Sequence, residues 1–318
     1  MKHFNMIYVR RWLAKNSALV ALVLLFVLSS LAFPKFMTKL NLNAILKQYS
    51  IIGILALGQM LITLTGGIDL SQGSMVAFTA VVTAVLLQTH GVLFSVACGL
   101  LAATGLGLVN GFIISRTKMP PFIVTLGMLG IARGLALLVS DAKPISIENE
   151  AFVSIGRGSL LGIPLAAVLW VVTSVFLYLF LTRRKLGRYI YATGGSEESA
   201  RLSGINIRAV KLFVYSFGAF LTGVGGILWA ARLRSGSPIG GVNYELESIA
   251  AVLVGGGTLF GGVGSVPGTI AGVLIFGVVN SSLNMAGISP YWQGTLKGII
   301  ILLAVVLSQI RRPARNDR

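Results

Sequence analysis

Ten apolar stretches, separated by short polar or glycine-rich breaks, divide the chain from end to end: about 17–33, 44–66, 71–88, 92–115, 121–139, 163–182, 211–231, 246–258, 263–285 and 293–310. Most approach the roughly 20 residues an α-helix needs to cross a hydrocarbon core about 30 Å thick. The pattern predicts an all-α, polytopic membrane bundle in one transmembrane domain over 1–318. The stretch 246–258 gives only about 20 Å of helix at ~1.5 Å per residue. It is too short to span alone and is expected as a broken or re-entrant helix buried in protein. Eight to ten crossings follow.

Composition removes the soluble alternative. The 318 residues are 55% hydrophobic and 11% charged, with a mean hydropathy of +0.87, against about 25% charged in a typical soluble domain. The net charge of +17 then reads as topology and not as a nucleic-acid surface, because Lys and Arg hold cytoplasmic loops inside. With the N-terminus inside and ten crossings, 17 of the 26 basic residues fall in inside segments. Seven fall outside (Lys35, Lys39, Lys47, Lys143, Arg157, Arg232 and Arg234), and Arg133 and Lys297 lie within apolar segments. Both termini are therefore expected in the cytoplasm. The run from Ser17 to Phe33 is long, is followed by Pro34-Lys35 and shows no convincing small-x-small cleavage site, so it is expected to persist as the first helix rather than leave as a signal peptide. A single cysteine, Cys98, forms no intramolecular disulfide, and His3 and His90 are too few for a metal site.

Against this background a few polar residues stand out. Asp69, the only acidic residue in the first third of the chain, either caps a helix starting near Ser71 or carries a functional charge at membrane depth. Arg133 either snorkels or pairs across the bundle. Asn280 and Asn284, one turn apart, either glue helices or face a polar passage. With Gln59, Asn110 and Trp292 these residues are candidates to line a pathway for a neutral polyol. Gly264, Gly268 and Gly272 recur every four residues, as do Gly107 with Gly111 and Gly130 with Gly134; the spacing predicts close helix contacts. TGGIDLSQGS (65–74) and VGGGTLFGGVGS (254–265) are glycine-rich breaks where helices are expected to unwind. Their loose likeness fits an internal duplication or shared glycine richness.

The polar run GGSEESARLSGINIRAVK (194–211) lies in a loop, 183–211, that carries seven basic and two acidic residues. Gly194-Gly195 predicts a tight turn. Ser196 predicts an N-cap for a short helix starting at Glu197, with Glu198 near its positive end, and Gly204 predicts its stop. Glu198 and Arg201 share one side of that helix, and Ala200 and Leu202 are expected to supply apolar contact. A short cytoplasmic helix is a shape for docking; a solvated connector is the alternative. No lysine precedes Ser or Thr, so a P-loop is absent, as are HExxH, CxxC and GxSxG elements. The chain is not expected to hydrolyse nucleotide. Energy for any driven transport comes from a partner or an ion gradient.

TGGIDLSQGS, LGRYIYATGGSEESARLSGINIRAVK (186–211) and YELESIAAVLVGGGTLFGG (244–262), with NSSLNMAGISPYWQGTLKGIIILLAVVL (280–307), together resemble the ribose-type permease family of bacterial ABC importers over essentially the whole chain. The resemblance implies a permease subunit in the bacterial inner membrane, for a monosaccharide or sugar-like molecule. It implies a second permease copy or close paralogue, two ATP-binding subunits and an extracytoplasmic sugar-binding protein. It places ATP and Mg in the partner ATPase, with no cofactor in this chain. It also implies that Gly194, Gly195, Glu197, Glu198, Ala200, Arg201, Leu202, Gly204, Ile205 and Asn206 form the segment that couples to the ATPase. Phe260 departs from the family pattern, where a smaller or polar residue is frequent. The rival readings are a self-sufficient secondary transporter or channel using Asp69 or Arg133 as coupling charge, and a branched-chain amino-acid permease.

Overall fold

The computed structural model describes residues 17–289 and scattered helical positions from 292 to 306. The first sixteen residues and most of the expected tenth segment, 293–310, lie outside the described residues. After α1 (Ser17–Ala32), α2 (Lys39–Leu64) runs through the centre of the bundle, with every residue from Tyr49 to Leu64 buried. Then come α3 (Gln72–Leu86), α4 (Val92–Arg116), α5 (Pro121–Val139), the short α6 (Glu150–Arg157), and α7 (Leu165–Arg183). Beyond them follow α8 (Lys185–Gly195), α9 (Glu197–Leu202), α10 (Ile207–Leu233), α11 (Tyr244–Val254) and α12 (Val266–Met285).

Among the described residues, α2, α4, α5, α7, α10 and α12 are long and apolar enough to cross a membrane. They divide by burial. The most apolar window of α2 is 83% buried, against 22% in α4, 28% in α5 and 33% in α7. A helix that is apolar all round and wrapped by others belongs in the interior; those that leave Leu101, Leu138 and Val172 exposed present a greasy surface suited to lipid. Among the described residues α1 and α3 are shorter apolar helices. The expected half-helix is α11, which has 11 residues and gives way to Gly255, Gly256 and Gly257 before α12 begins.

Glycine sets how closely the helices meet, since without a β-carbon two backbones approach to contact. A β-carbon on Gly272 would overlap the Ala251 carbonyl, and one on Gly268 the Gly255 carbonyl, so α12 lies flush on α11. Gly107 and Gly111 do the same for α4 against Tyr215 and Leu212 of α10. At Gly264, by contrast, the nearest atoms to a β-carbon are side-chain atoms of Leu64 and Met60. The spacing at Gly130 and Gly134 misleads: nothing described lies within 4 Å of a β-carbon at either position. Their face of α5 makes no close helix contact among the described residues.

One end of the bundle carries structure that hydropathy alone does not forecast. β1 (Ile145–Ser146) pairs antiparallel with β4 (Ser235–Gly236), and β2 (Ser159–Leu160) with β3 (Ile163–Pro164). Asn149 caps α6 by accepting from the Phe152 N–H at 3.1 Å. Gly156 brings α6 onto the backbone of Ala231 and Arg232. Arg157 donates to the Arg232 carbonyl at 2.8 Å, and Arg234, the left-handed cap of α10 at φ 57°, pairs with Glu150. Arg157, Arg232 and Arg234 are three of the basic residues that the topology count sets outside. Two of them are engaged here through their side chains and the third through its carbonyl, a structural role distinct from a charge bias.

Candidate functional site

At the opposite end, α8 and α9 form an elbow. The turn expected at Gly194-Gly195 does not form: both residues are helical and close α8, and the break falls at Ser196, which is extended at φ −159°. Ser196 caps α9 by accepting from the Ser199 N–H at 3.2 Å. At the far end Ile205 N–H bonds the Ala200 carbonyl (3.1 Å) and Gly204 N–H the Arg201 carbonyl (3.0 Å), with Gly204 at φ +78°. This is the paired closure that a glycine just past the helix end makes cheap. Asn206 then starts α10 by accepting from Ala209 N–H at 3.1 Å. Glu197 pairs with Lys211 at 2.8 Å, tying α9 to α10.

The exposed face of α9 carries Glu198, Arg201 and Leu202, the last 79% exposed. Ala200 does not join them. It is buried at 4% exposure beneath the helix, so its apolar contact is internal rather than offered to a partner.

Beneath this elbow three glycine-rich segments meet. A β-carbon on Gly194 would overlap the Leu64 carbonyl at the end of α2. One on Gly261, itself at φ +87°, would lie 2.8 Å from the Gly194 Cα and 2.8 Å from the Gly66 nitrogen. Gly262 donates its N–H to the Leu64 carbonyl at 2.9 Å. Tyr191 of α8 donates to the Gly264 carbonyl at 2.9 Å; burial pushes its phenol up, which keeps it a donor. Gly66, Gly194 with Gly195, and residues 260–262, far apart in sequence, thus share one glycine junction.

From that junction a buried polar clasp runs into the core. The Asp69 carboxylate accepts the Ser71 N–H at 2.8 Å and the Ser71 hydroxyl as well, so it turns the chain into α3. Asn110 of α4 donates to the Ser71 hydroxyl at 3.2 Å. Gln59 of α2 pairs with the Asp69 backbone, donating to its carbonyl (3.2 Å) and accepting from its N–H (3.3 Å). Thr125 of α5 reaches the Ile68 carbonyl at 3.3 Å. Next to it Gln72 donates to the Leu55 carbonyl (3.3 Å) and accepts from Ser248 of α11 (2.7 Å). Asp69, Ser71, Gln59 and Asn110 are all fully buried. Among the described residues Asp69 Oδ2 has no partner.

The seven pathway candidates therefore occupy different places. Gln59, Asp69 and Asn110 come together in the clasp. Arg133 stands apart, its guanidinium donating to the carbonyls of Pro238 and, at 3.1 Å, Gly240, where it holds the loop before α11. Asn280 and Asn284 line a cleft at the other end of the molecule. Trp292 is 65% exposed and joins neither group. Sequence reasoning passed over Gln72, Thr125 and Ser248. Thr125 is a single polar residue inside an apolar run, which signals a buried hydrogen bond but gives no clue to its partner, while Gln72 and Ser248 follow Ser71 and Glu247 and are masked by those polar neighbours. No group of His, Cys, Asp and Glu suited to a metal occurs among the described residues.

The fold and the site define a polytopic membrane permease. Residues 41–305 match the family described as "Branched-chain amino acid transport system / permease component", and the chain belongs to that family. It is 40% identical over 307 residues to the ribose import permease protein RbsC of Escherichia coli (strain K12), covering 94% of this chain and 95% of that one. It is 39% identical over 298 residues to RbsC of Bacillus subtilis (strain 168), with 93% and 92% covered. It is 35% identical over 299 residues to the L-arabinose transport system permease protein AraH of Escherichia coli (strain K12), with 94% and 91% covered. No solved structure matches the chain significantly.

Proposed function

We propose that this chain is the membrane permease of an ATP-driven importer for a monosaccharide, moving substrate by alternating access. The observation that carries this reading is the 35–40% identity, over more than nine-tenths of the chain, to proteins named as ribose and arabinose permeases. Their names favour a sugar over a branched-chain amino acid. The secondary-transporter reading needs a free coupling charge. Arg133 is instead bound to the carbonyls of Pro238 and Gly240, and one oxygen of Asp69 is held by Ser71.

In this reading α9 docks on an ATP-binding subunit that holds the ATP and Mg, the chain itself hydrolyses nothing, a sugar-binding protein delivers substrate at the opposite face, and a second permease copy completes the passage. The coupling domain is the stretch 183–211, and both termini lie in the cytoplasm of a cell whose inner membrane the bundle spans. The shape of α9 supports the docking role: six residues, capped at both ends, with a charged and apolar outer face. Arg201→Glu and Leu202→Asp change only exposed side chains, so expression and membrane insertion are expected to hold. Uptake and co-purification of the ATPase are expected to fall at least tenfold. Normal co-purification and uptake in both variants would reduce α9 to a solvated connector.

A further inference from the structure

We infer that the cleft between the start of α2 and the end of α12 is a reception site for a monosaccharide, with Tyr49 and Asn280 as its specificity-determining residues; this rests on the sugar-import reading above. The cleft is built from two facing helix stripes. Asn41, Ala44, Ile45, Gln48 and Tyr49 lie at the i, i+3, i+4, i+7, i+8 spacing of one face of α2. Gly277, Asn280, Ser281, Asn284 and Met285 repeat that spacing on α12. Helix stripes so placed ordinarily carry Leu or Ala in an apolar bundle. Here six of the ten side chains can hydrogen-bond and none is charged. A neutral polyol is the chemistry that such a lining fits, because a charged substrate would leave its charge unmatched.

Two of the buried groups lack partners among the described residues. Tyr49 is 2% exposed, yet its hydroxyl has no hydrogen-bond partner among the described residues. Asn280, 8% exposed, makes no side-chain hydrogen bond among the described residues. A buried donor left unpaired is destabilising, and such a group persists where a ligand relieves it. The others act as frame: Ser281 donates to Asn41 at 2.8 Å, and Asn41 donates to the Phe36 carbonyl at 2.8 Å. Gly277 lets the Tyr49 ring lie against the α12 backbone, 3.2 Å from where a β-carbon would stand. The cleft measures about 200 Å³, which is room for roughly six or seven waters at ~30 Å³ each. That is the scale of one small sugar and not of an oligosaccharide.

Its position fits the direction of transport. Tyr49 and Leu64 are fifteen residues apart on one helix, or about 22 Å at ~1.5 Å per residue. Leu64 is at the glycine junction under α9, so the cleft opens at the far end, where an importer receives its cargo.

The test uses the whole importer, with its ATP-binding and sugar-binding subunits, in proteoliposomes, with labelled D-ribose and L-arabinose as probes. Tyr49→Phe deletes an unpartnered oxygen and keeps the packing, so a structural role predicts unchanged or improved stability and unchanged transport. The reception role predicts a three- to tenfold lower import rate for the pentose that wild type carries, with ATPase stimulation by the loaded binding protein retained. Asn280→Leu is expected to lower import further, again with stimulated ATPase retained. Wild-type rates in both variants would overturn the cleft while leaving the sugar reading intact. Import of neither pentose by the wild-type importer would overturn the sugar reading and, with it, this site.

Discussion

Gly194 and Gly195 are neighbours in sequence and opposites in environment. The first has the Leu64 carbonyl where a β-carbon would go, while the second faces open space. Gly194→Ala is therefore expected to cost about 1–3 kcal/mol through overpacking against backbone that has no rotamer to yield. Gly195→Ala, at an unhindered helical position, is expected to be neutral or stabilising by up to ~1 kcal/mol. Thermal unfolding in detergent measures both, and equal shifts would contradict the junction. Asp69 sets a second residue-scale contrast. Asparagine keeps an oxygen for the Ser71 N–H and hydroxyl, whereas alanine leaves both buried groups unpaired at about 1–3 kcal/mol each. Asp69→Asn is expected to fold and transport near wild type and Asp69→Ala to lose stability. Loss of uptake in the stable asparagine variant would restore the charge itself as the functional element.

At the scale of elements, α9 owes its existence to its ends. Six residues cannot hold a helix in water on propensity, so the Ser196 cap and the Gly204 closure carry it. Ser196→Ala is expected to cost about 1 kcal/mol, and Gly204→Leu more, since the branched side chain must take φ +78°. Uptake assays with ATPase pull-down should show both losses before any loss of membrane insertion. Ala200→Arg is a poorer probe of docking than the loop pattern suggests, because it would put a charge into a buried position. Local signals of this kind were legible in advance: the Ser196 cap, the Gly204 stop, the short α11 and the Gly107, Gly268 and Gly272 contacts all follow from chemistry within a turn or two. Pairing across the chain was not. Nothing local tells that Gly194 rests on Leu64 or that Gln72 meets Ser248. Gly130 and Gly134 show the converse, a contact signal with no partner among the described residues. Likewise α6 and the two ribbons are too short and polar to register in a hydropathy pattern.

Over the whole molecule, α10 connects the α9 end to the α6 end in one helix of 27 residues, about 40 Å at ~1.5 Å per residue. If α9 is cytoplasmic, the loop near Glu148 lies outside. Reporter fusions there and at Arg318 are expected to read outside and inside respectively, and the reverse pair would invert the topology. The glycine junction adds a mechanical consequence. Side-chain contacts have slack, because rotamers turn before backbones shift, but at Gly194, Gly261 and Gly66 main chain touches main chain. Such a joint is stiff in compression. A push on the end of α8 is handed to α2 and to the turn before α12 with almost no lost motion, and those are the two helices whose far ends form the walls of the cleft.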